Sequence, residues 1–361
     1  MPKFHTLKIK DIRQETGDTV SIAFDIPEGE EKDFEFINGQ YITLREFIEG
    51  EDIRRSYSLS SCLKTDNEHR IAVKKVPGGR MSTWLNHEAK VGDTIHVMSP
   101  EGHFHPNFDA AVAKSYVLFA AGSGITPIIS IVKGVLANEP NSQVVLFYGS
   151  KTEEDIIFKA ELEQLQANND RFKFYNILSR AEEEKKGLSI FKKKDVFKGR
   201  FDNKKVVALL NNYADLSVEN EFFICGPNGM MDTIHNALKN LRVSEENIHV
   251  EYFATPDQEE EATPTSTGGG DATAVILLDG EEKEITIPAG TTILDAAIDN
   301  GLDAPYSCRG AVCSSCMAKL EEGEVKMKMN YILTDGEIDE GFIVTCQSTC
   351  VTDKVKVNYD I

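Results

Sequence analysis

The sequence predicts a three-part protein: an antiparallel β-barrel, an α/β domain on a parallel sheet, and a smaller α+β domain at the C-terminal end. Three observations predict it. Short runs alternating apolar and polar residues fill residues 1–110, continuous apolar strands separated by helical stretches fill residues 111–253, and a Gly-, Pro- and Glu-rich segment at 254–272 precedes a distinct cysteine-bearing stretch at 273–361. A chain of 361 residues is long enough for two or three domains, each with its own core.

The elements follow in order. Thr19-Val20-Ser21-Ile22-Ala23-Phe24 and Arg70-Ile71-Ala72-Val73-Lys74-Lys75-Val76 alternate as half-buried strands do, and Asn38-Gly39 and Pro77-Gly78-Gly79 mark turns between strands. From Ser115 the texture changes. Tyr116-Val117-Leu118-Phe119-Ala120-Ala121, Val144-Val145-Leu146-Phe147-Tyr148 and Phe222-Phe223-Ile224-Cys225 are uninterrupted apolar runs, the pattern of a parallel sheet covered on both faces. Residues 254–272 combine low hydrophobicity with charge, Pro and Gly, and read as a tether. Beyond it, Ala274–Leu278 and Lys283–Ile287 flank Asp279-Gly280 as a hairpin, and a helix over Thr292–Asn300 leads into the cysteines.

Charge and composition exclude several classes. The net charge is −20, and residues 273–361 carry 16 acidic against 7 basic residues. Nucleic acid needs a basic footprint, so it is excluded as a partner. The acidic C-terminal part suits either docking on a basic protein surface or simple solubility. The most apolar stretch, 112–137, is broken by Lys114, Gly122, Gly124, Pro127 and Lys133 and reads as a buried strand–turn–helix instead of a membrane span. The N-terminus shows no apolar leader, and seven cysteines, an odd number with five clustered from Cys308 onward, do not look like a disulfide framework; both lead us to expect a cytoplasmic protein.

Four cysteines carry the sharpest chemical signal. Cys308, Cys313 and Cys316 follow a C-x4-C-x2-C spacing, with Cys346 distant, which is the plant-type [2Fe–2S] arrangement. A structural zinc site would show two paired knuckles, and only one C-x2-C is present. Arg55-Ser56-Tyr57-Ser58 lies on a barrel strand, where Arg can neutralise a pyrophosphate, Tyr can pack on a flavin ring and Ser can sit near its reactive nitrogen. Gly79, Arg80, Met81 and Ser82 open a helix after a strand, offering free N–H groups to phosphate. Gly122-Ser123-Gly124-Ile125-Thr126-Pro127 is a second strand–turn–helix of that kind, although Pro127 stands where a dinucleotide fingerprint has its third glycine. Cys225-Gly226-Pro227 ends another buried strand, at the carboxyl edge where such sheets bind ligands. On residue type alone, Cys225 reads equally as a buried structural thiol. His103 and His105 share a loop with no third ligand in view, and Cys62 has no visible role.

In this order the R-x-Y-S strand, the G-G-x-x-S turn, the G-S-G-I-T-P turn and the C-G-P turn, followed by the cysteine loop, resemble the ferredoxin–NADP⁺ reductase-like flavoproteins that carry a C-terminal plant-type ferredoxin. Within that family the likeness is strongest to the reductase subunits of phenylacetyl-CoA epoxidases, on segments such as Pro100-Glu101-Gly102-His103-Phe104, His249-Val250-Glu251-Tyr252-Phe253 and Met329-Asn330-Tyr331. The resemblance implies a β-grasp-like ferredoxin domain, FAD on the barrel held by Arg55, Tyr57, Ser58, Gly79, Arg80, Met81 and Ser82, and NADPH across Gly122, Ser123, Gly124, Thr126 and Pro127. Cys225 and Gly226 would lie near the nicotinamide, Pro227 would join the cofactor contacts and Ser58 would sit near the reactive nitrogen of the flavin, with Ser58 and Cys225 in the catalytic role. Ser150-Lys151 and Ser179-Arg180 follow successive strands and are implied as the 2′-phosphate contacts, with Lys185 and Lys186 nearby; the plainer reading pairs Arg180 with Glu182 or Glu183. Cys350 competes with Cys346 as fourth metal ligand, and Cys346 is preferred because the family's last ligand precedes Gln, as in Cys346-Gln347. The implied activity is electron transfer from NADPH through FAD and [2Fe–2S] to external oxygenase subunits, the tether letting the ferredoxin move between flavin and partner. The rival readings are a reductase for a ring-hydroxylating dioxygenase or a hybrid-cluster protein, and an iron–sulfur redox sensor.

Overall fold

The computed structural model describes residues 3–180, 196–253 and 271–361. Lys185, Lys186 and residues 254–270 of the expected tether lie outside the described residues.

The first sheet holds β1 (Phe4–Thr16), β2 (Thr19–Asp25), β3 (Tyr41–Ile48), β4 (Glu51–Ser58), β5 (His69–Lys74) and β6 (Thr94–Met98), in the antiparallel order β4-β3-β6-β1-β2-β5. Just beyond β4, Leu59 bridges Ile71 of β5 and Ser60 N–H donates to the Arg70 carbonyl at 2.7 Å, which closes the sheet on itself. Period-two alternation builds the inside: Leu7 and Ile9 of β1 are buried while Lys8 and Lys10 are exposed. β2 departs from the expected alternation, since Thr19, Ser21 and Ala23 are buried as well. Its outer face is covered, because Arg70 and Glu15 both hydrogen-bond to the Ser21 hydroxyl. A short helix α1 (Leu63–Asp66) follows β4, and α2 (Arg80–His87) packs across β3, β4 and β5.

The second sheet is all parallel. It contains β7 (Ser115–Ala121), β8 (Gln143–Ser150), β9 (Phe172–Leu178), β10 (Val196–Lys198), β11 (Asn220–Cys225) and β12 (Ile248–Glu251), in the order β10-β9-β8-β7-β11-β12. Tyr116, Leu118 and Ala120 pack with α3 (Ile125–Asn138) and α4 (Lys159–Asn168), whereas Val117 and Phe119 pack with α5 (Asn203–Tyr213) and α6 (Asn228–Asn240). With both faces covered, β7 must be apolar throughout, which is why its sequence shows no alternation. The order reverses between β7 and β11, so a ligand crevice opens there, beyond the carboxyl ends of the strands. Buried polar contacts seat α3 on the barrel. Ser130 Oγ donates to the Ser61 carbonyl (2.7 Å), Asn38 Nδ2 donates to Ser130 Oγ (3.0 Å), and Lys133 Nζ reaches Asp66 (2.6 Å).

The third unit is α+β. β13 (Ala272–Leu278), β14 (Glu281–Ile287), α7 (Ile293–Asp299), β15 (Met317–Glu322), β16 (Val325–Met327), α8 (Asp335–Asp339), β17 (Phe342–Val344), β18 (Ser348–Cys350) and β19 (Lys354–Asn358) build a five-stranded sheet, β14-β13-β19-β15-β17, beside a two-stranded one, β16-β18. Asp279 and Gly280 take φ of 59° and 75°, the doubly left-handed turn that an Asp-Gly hairpin adopts. Thr292 caps α7 by accepting from Asp295 N–H at 3.1 Å, and Ile293, Leu294, Ala296 and Ala297 of that helix fill the core. Ala272, read from sequence as the end of the tether, is already paired in β13 opposite Ile287. Among the described residues, no helix is long and apolar enough to cross a membrane.

Candidate functional site

Four of the sequence-predicted turns meet in one cleft of about 930 Å³ at the carboxyl ends of β7, β8, β9 and β11. Gly122, Ser123 and Gly124 line it, with Ser150-Lys151, Ser179-Arg180 and Gly226-Pro227. The backbone ladder continues past the strand ends: Ser179 N–H donates to the Ser150 carbonyl (2.9 Å) and Arg180 N–H to that of Lys151 (2.8 Å), so the two loop ends sit side by side. Tyr148 Oη donates to the Gly122 carbonyl (2.9 Å) and holds the turn. Glycine is required at 124, because a Cβ there would stand 2.2 Å from the Cys225 carbonyl oxygen. The β7 and β11 turns therefore touch backbone to backbone. The Gly122–Gly124 turn runs straight into α3, whose first N–H, on Ile125, already donates to the Gly122 and Ser123 carbonyls; that turn and α6 start at this cleft with no side-chain cap, which leaves their first N–H groups for an anionic ligand. Thr126 and Pro127 are buried inside α3 and support the turn from beneath, Thr126 Oγ1 donating to the Ser123 carbonyl at 2.9 Å. Arg200 and Phe253 also line the cleft. Sequence reading assigned neither, because Arg200 belongs to no motif and Phe253 arrives only through the fold.

On the barrel, β4 alternates. Arg55 and Tyr57 project to one side, and Arg54, Ser56 and Ser58 to the other. β4 is a terminal strand in the sheet order, so a ligand lying along its free edge can reach both sides. Tyr57 packs against the barrel core, Arg55 is exposed, and burial pushes the Tyr57 hydroxyl pKa up. α2 begins at Gly79 with no side-chain cap, so the N–H groups of its first turn are available. Met81 faces the barrel core and Ser82 Oγ bonds back to Val76 and Gly79; these two residues can offer a phosphate their backbone. Arg80 is tied to Glu51 and to the Ile48 carbonyl.

Ser58 meets the parallel sheet directly. Its hydroxyl donates to Glu251 Oε2 at 3.4 Å, and Glu251 stands in register with Cys225 on the neighbouring strand. Cys225 is fully buried, and burial raises its thiol pKa well above the usual range. Burial likewise lifts the Glu251 carboxyl, to about 8. Ser58, Cys225 and Glu251 form a compact polar cluster between the barrel and the cleft. Glu251 was missed as a site residue, although an acid closing the final strand of the sheet at its carboxyl end was the available signal.

The cysteine loop gathers its thiols in two pairs. Cys308 and Cys313 lie with Sγ atoms 3.0 Å apart, and Cys316 is hydrogen-bonded to Cys346. Within each pair one thiol is held below its usual pKa by its partner's S–H, Cys308 by Cys313 and Cys346 by Cys316, while the partner is raised. Two thiolates per metal, twice over, is what a two-iron cluster asks for. Arg309 and Ala311 take left-handed φ of 55° and 56°, which curls the loop and turns N–H groups inward; Gly310 N–H donates to Cys308 Sγ at 3.3 Å. Cys350 packs in β18 at the edge of the core and has no part in either thiol pair. Cys62 is buried at the start of α1, and the His105 ring lies 3.4 Å from the neighbouring Pro106 carbonyl.

The loop docks on the barrel. Ser307 Oγ lies 2.8 Å from Ser56 Oγ, and Ser314 Oγ lies 3.2 Å from Tyr41 Oη. One strand, β4, thus touches the cysteine loop through Ser56 and the nucleotide sheet through Ser58.

This architecture defines a modular electron-transfer oxidoreductase, with a flavin-type barrel, a nucleotide-binding sheet and an iron–sulfur unit in one chain. Comparison with known families agrees. Residues 6–105 match the oxidoreductase FAD-binding domain, residues 118–236 the oxidoreductase NAD-binding domain, and residues 276–351 the 2Fe-2S iron-sulfur cluster binding domain. The chain is 34% identical over 362 residues to a component of the 1,2-phenylacetyl-CoA epoxidase of Escherichia coli, covering 100% of this chain and 99% of that one. It is 35% identical over 364 residues to the ferredoxin reductase component of 3-ketosteroid-9-alpha-monooxygenase of Mycolicibacterium smegmatis, covering 98% and 96%. The solved structure of phthalate dioxygenase reductase shares the fold over 98% of both chains, with a TM-score of 0.60 and 24% identity. The chain belongs to the ferredoxin–NADP⁺ reductase-like flavoproteins with a C-terminal [2Fe–2S] ferredoxin domain. It is an NAD(P)H-dependent flavin and [2Fe–2S] reductase of an oxygenase system.

Proposed function

We propose that the chain oxidises NADPH and delivers electrons, by way of FAD and the [2Fe–2S] cluster, to a di-iron oxygenase that epoxidises phenylacetyl-CoA. The observation that carries the internal route is β4, which contacts the cysteine loop at Ser56 and the Ser58–Glu251–Cys225 cluster two residues later. Bound at these sites, FAD would take up a hydride and release electrons singly, and the cluster would carry them at a potential near about −400 mV.

The chain's own residues supply position and field. Arg55, Tyr57 and the first-turn N–H groups of α2 would hold FAD along β4. The Gly122–Gly124 turn and the uncapped start of α6 would bind the NADPH pyrophosphate. Ser150, Lys151, Ser179 and Arg180 would take the 2′-phosphate, since they sit together at the cleft and supply hydroxyls and positive charge; that placement favours NADPH over NADH. Ser58 and Cys225 would flank the nicotinamide, and Glu251 would accept from the Ser58 hydroxyl and hold it in place. Cys308, Cys313, Cys316 and Cys346 would ligate the cluster, with Cys313, Cys316 and Cys346 buried and Cys308 half-buried. This division of labour goes with a chain partitioned at residues 1–110, 111–253 and 273–361, joined by the segment between.

The partner rests on full-length likeness to the Escherichia coli protein. The test mixes the purified protein with the phenylacetyl-CoA oxygenase complex and follows NADPH oxidation with and without phenylacetyl-CoA, with cytochrome c as control acceptor. Substrate-dependent consumption with epoxide formed supports the assignment. Cytochrome c reduction without coupling moves the partner to the second reading, a ring-hydroxylating oxygenase, which the equally similar 3-ketosteroid-9-alpha-monooxygenase component favours.

A further inference from the structure

We propose that Arg54 is a positioning residue that docks the cysteine loop onto the flavin strand, fixing the geometry for electron transfer between the two halves of the chain. The role rests on the cofactor placement above and goes beyond it, since Arg54 belongs to none of the binding motifs.

Arg54 is 3% exposed, although it lies on an edge strand beside exposed Arg55. A buried guanidinium is unfavourable unless its charge is matched. Its Nη2 donates to Asp52 on its own strand (3.1 Å) and to Asp303 (2.7 Å), which lies 249 residues further along the chain. Nε and Nη1 find no hydrogen-bond acceptor among the described residues. The guanidinium instead lies against two rings, with its carbon 4.5 Å from the Tyr306 centroid and 5.3 Å from that of Phe4. Tyr306 is held from a second side by Arg309, at 4.6 Å, and precedes Cys308 by two residues. The burial of Arg54 is therefore completed from the ferredoxin side, by an acid and an aromatic ring next to a predicted cluster ligand. The Ser56–Ser307 contact lies one strand repeat away and sets the same register. Undocking would strip Arg54 of Asp303 and Tyr306 together, so the pair acts as a latch with one defined seated position.

The experiment mixes the holoprotein anaerobically with NADPH and follows flavin bleaching and cluster reduction separately, alongside steady-state ferricyanide and cytochrome c reduction. The variants are Arg54→Ala on the barrel and, to guard against a folding defect there, Asp303→Asn and Tyr306→Leu on the other side. Flavin reduction and ferricyanide turnover are expected to stay at the wild-type level, while cluster and cytochrome c reduction fall by about 10- to 100-fold, as for a reacting pair displaced by about an ångström. Arg54→Ala combined with Asp303→Asn is expected to be no slower than the worse single variant. Unchanged cytochrome c to ferricyanide ratios in all three single variants would overturn the proposal. So would equal losses of both activities, which would make Arg54 a support of the barrel alone. If wild-type protein fails to reduce its cluster from NADPH, the underlying cofactor reading falls first and the docking role falls with it.

Discussion

The nucleotide cleft and the cysteine loop are built on opposite plans. The cleft is open, about 930 Å³, and made from regular elements: parallel strand ends, an uncapped helix start at α6 and a glycine that lets two turns touch. The loop is closed and irregular, with Cys313, Cys316 and Cys346 at most 5% exposed and two non-glycine residues in left-handed conformation. The first plan suits a ligand that enters and leaves, held by backbone donors that need no rearrangement. The second suits a group that stays, wrapped so that water is excluded and the N–H groups are fixed on sulfur. The contrast teaches where each region should be fragile: the loop to loss of a ligand, the cleft to loss of space or charge.

The largest expected effect is at the loop. Cys313→Ser should abolish the visible [2Fe–2S] spectrum and cytochrome c reduction, with ferricyanide reduction by the flavin retained. Loss of ferricyanide turnover as well would show that the two regions fold as one unit and would break the comparison.

Next comes charge at the cleft. Arg180→Ala should raise the KM for NADPH by about 10- to 100-fold, the loss of a charge-assisted hydrogen bond, and leave NADH turnover unchanged. Equal effects on both nucleotides would remove Arg180 from 2′-phosphate recognition.

Space at the cleft is the third test. Gly124→Ala places a Cβ 2.2 Å from the Cys225 carbonyl and should lower stability by about 1–3 kcal/mol in thermal or denaturant unfolding. Gly122→Ala meets no atom within 4 Å but must hold φ near +55°, so its cost should be smaller, about 1 kcal/mol. Reversed order would mean that the turns do not touch as described.

The last test concerns pH. The Glu251 carboxyl titrates near 8 in the fold against 4.5 in an open chain. The folded state then binds the proton more tightly, so this group's contribution is fully present below about pH 4.5 and is lost as pH rises through 8. Glu251→Gln should flatten the fall in melting temperature over that window, and parallel curves for the two proteins would contradict the burial of the carboxyl.

How much of this was legible in the sequence follows the same division. The cysteine spacing was legible because ligand geometry constrains residues close in the chain. The buried strands of the parallel sheet were legible because burial on both faces removes polar positions. Ser150-Lys151 and Ser179-Arg180 were found by counting strands, and the structure brings them to one cleft. Glu251, Arg200, Phe253 and the latch at Arg54 were not assigned. Their meaning depends on partners brought by the fold, such as Ser58 for Glu251, 193 residues away. Met81, Thr126 and Pro127 show the converse: the motif marks the right turn, but those side chains serve the core beneath it.

The most direct test of the central claim is anaerobic rapid mixing of the holoprotein with one equivalent of NADPH, with flavin absorbance and the cluster's electron paramagnetic resonance signal followed together. The account predicts that flavin absorbance falls first and that the cluster signal then appears, without any added carrier. A reduced flavin beside a cluster that stays oxidised would contradict it.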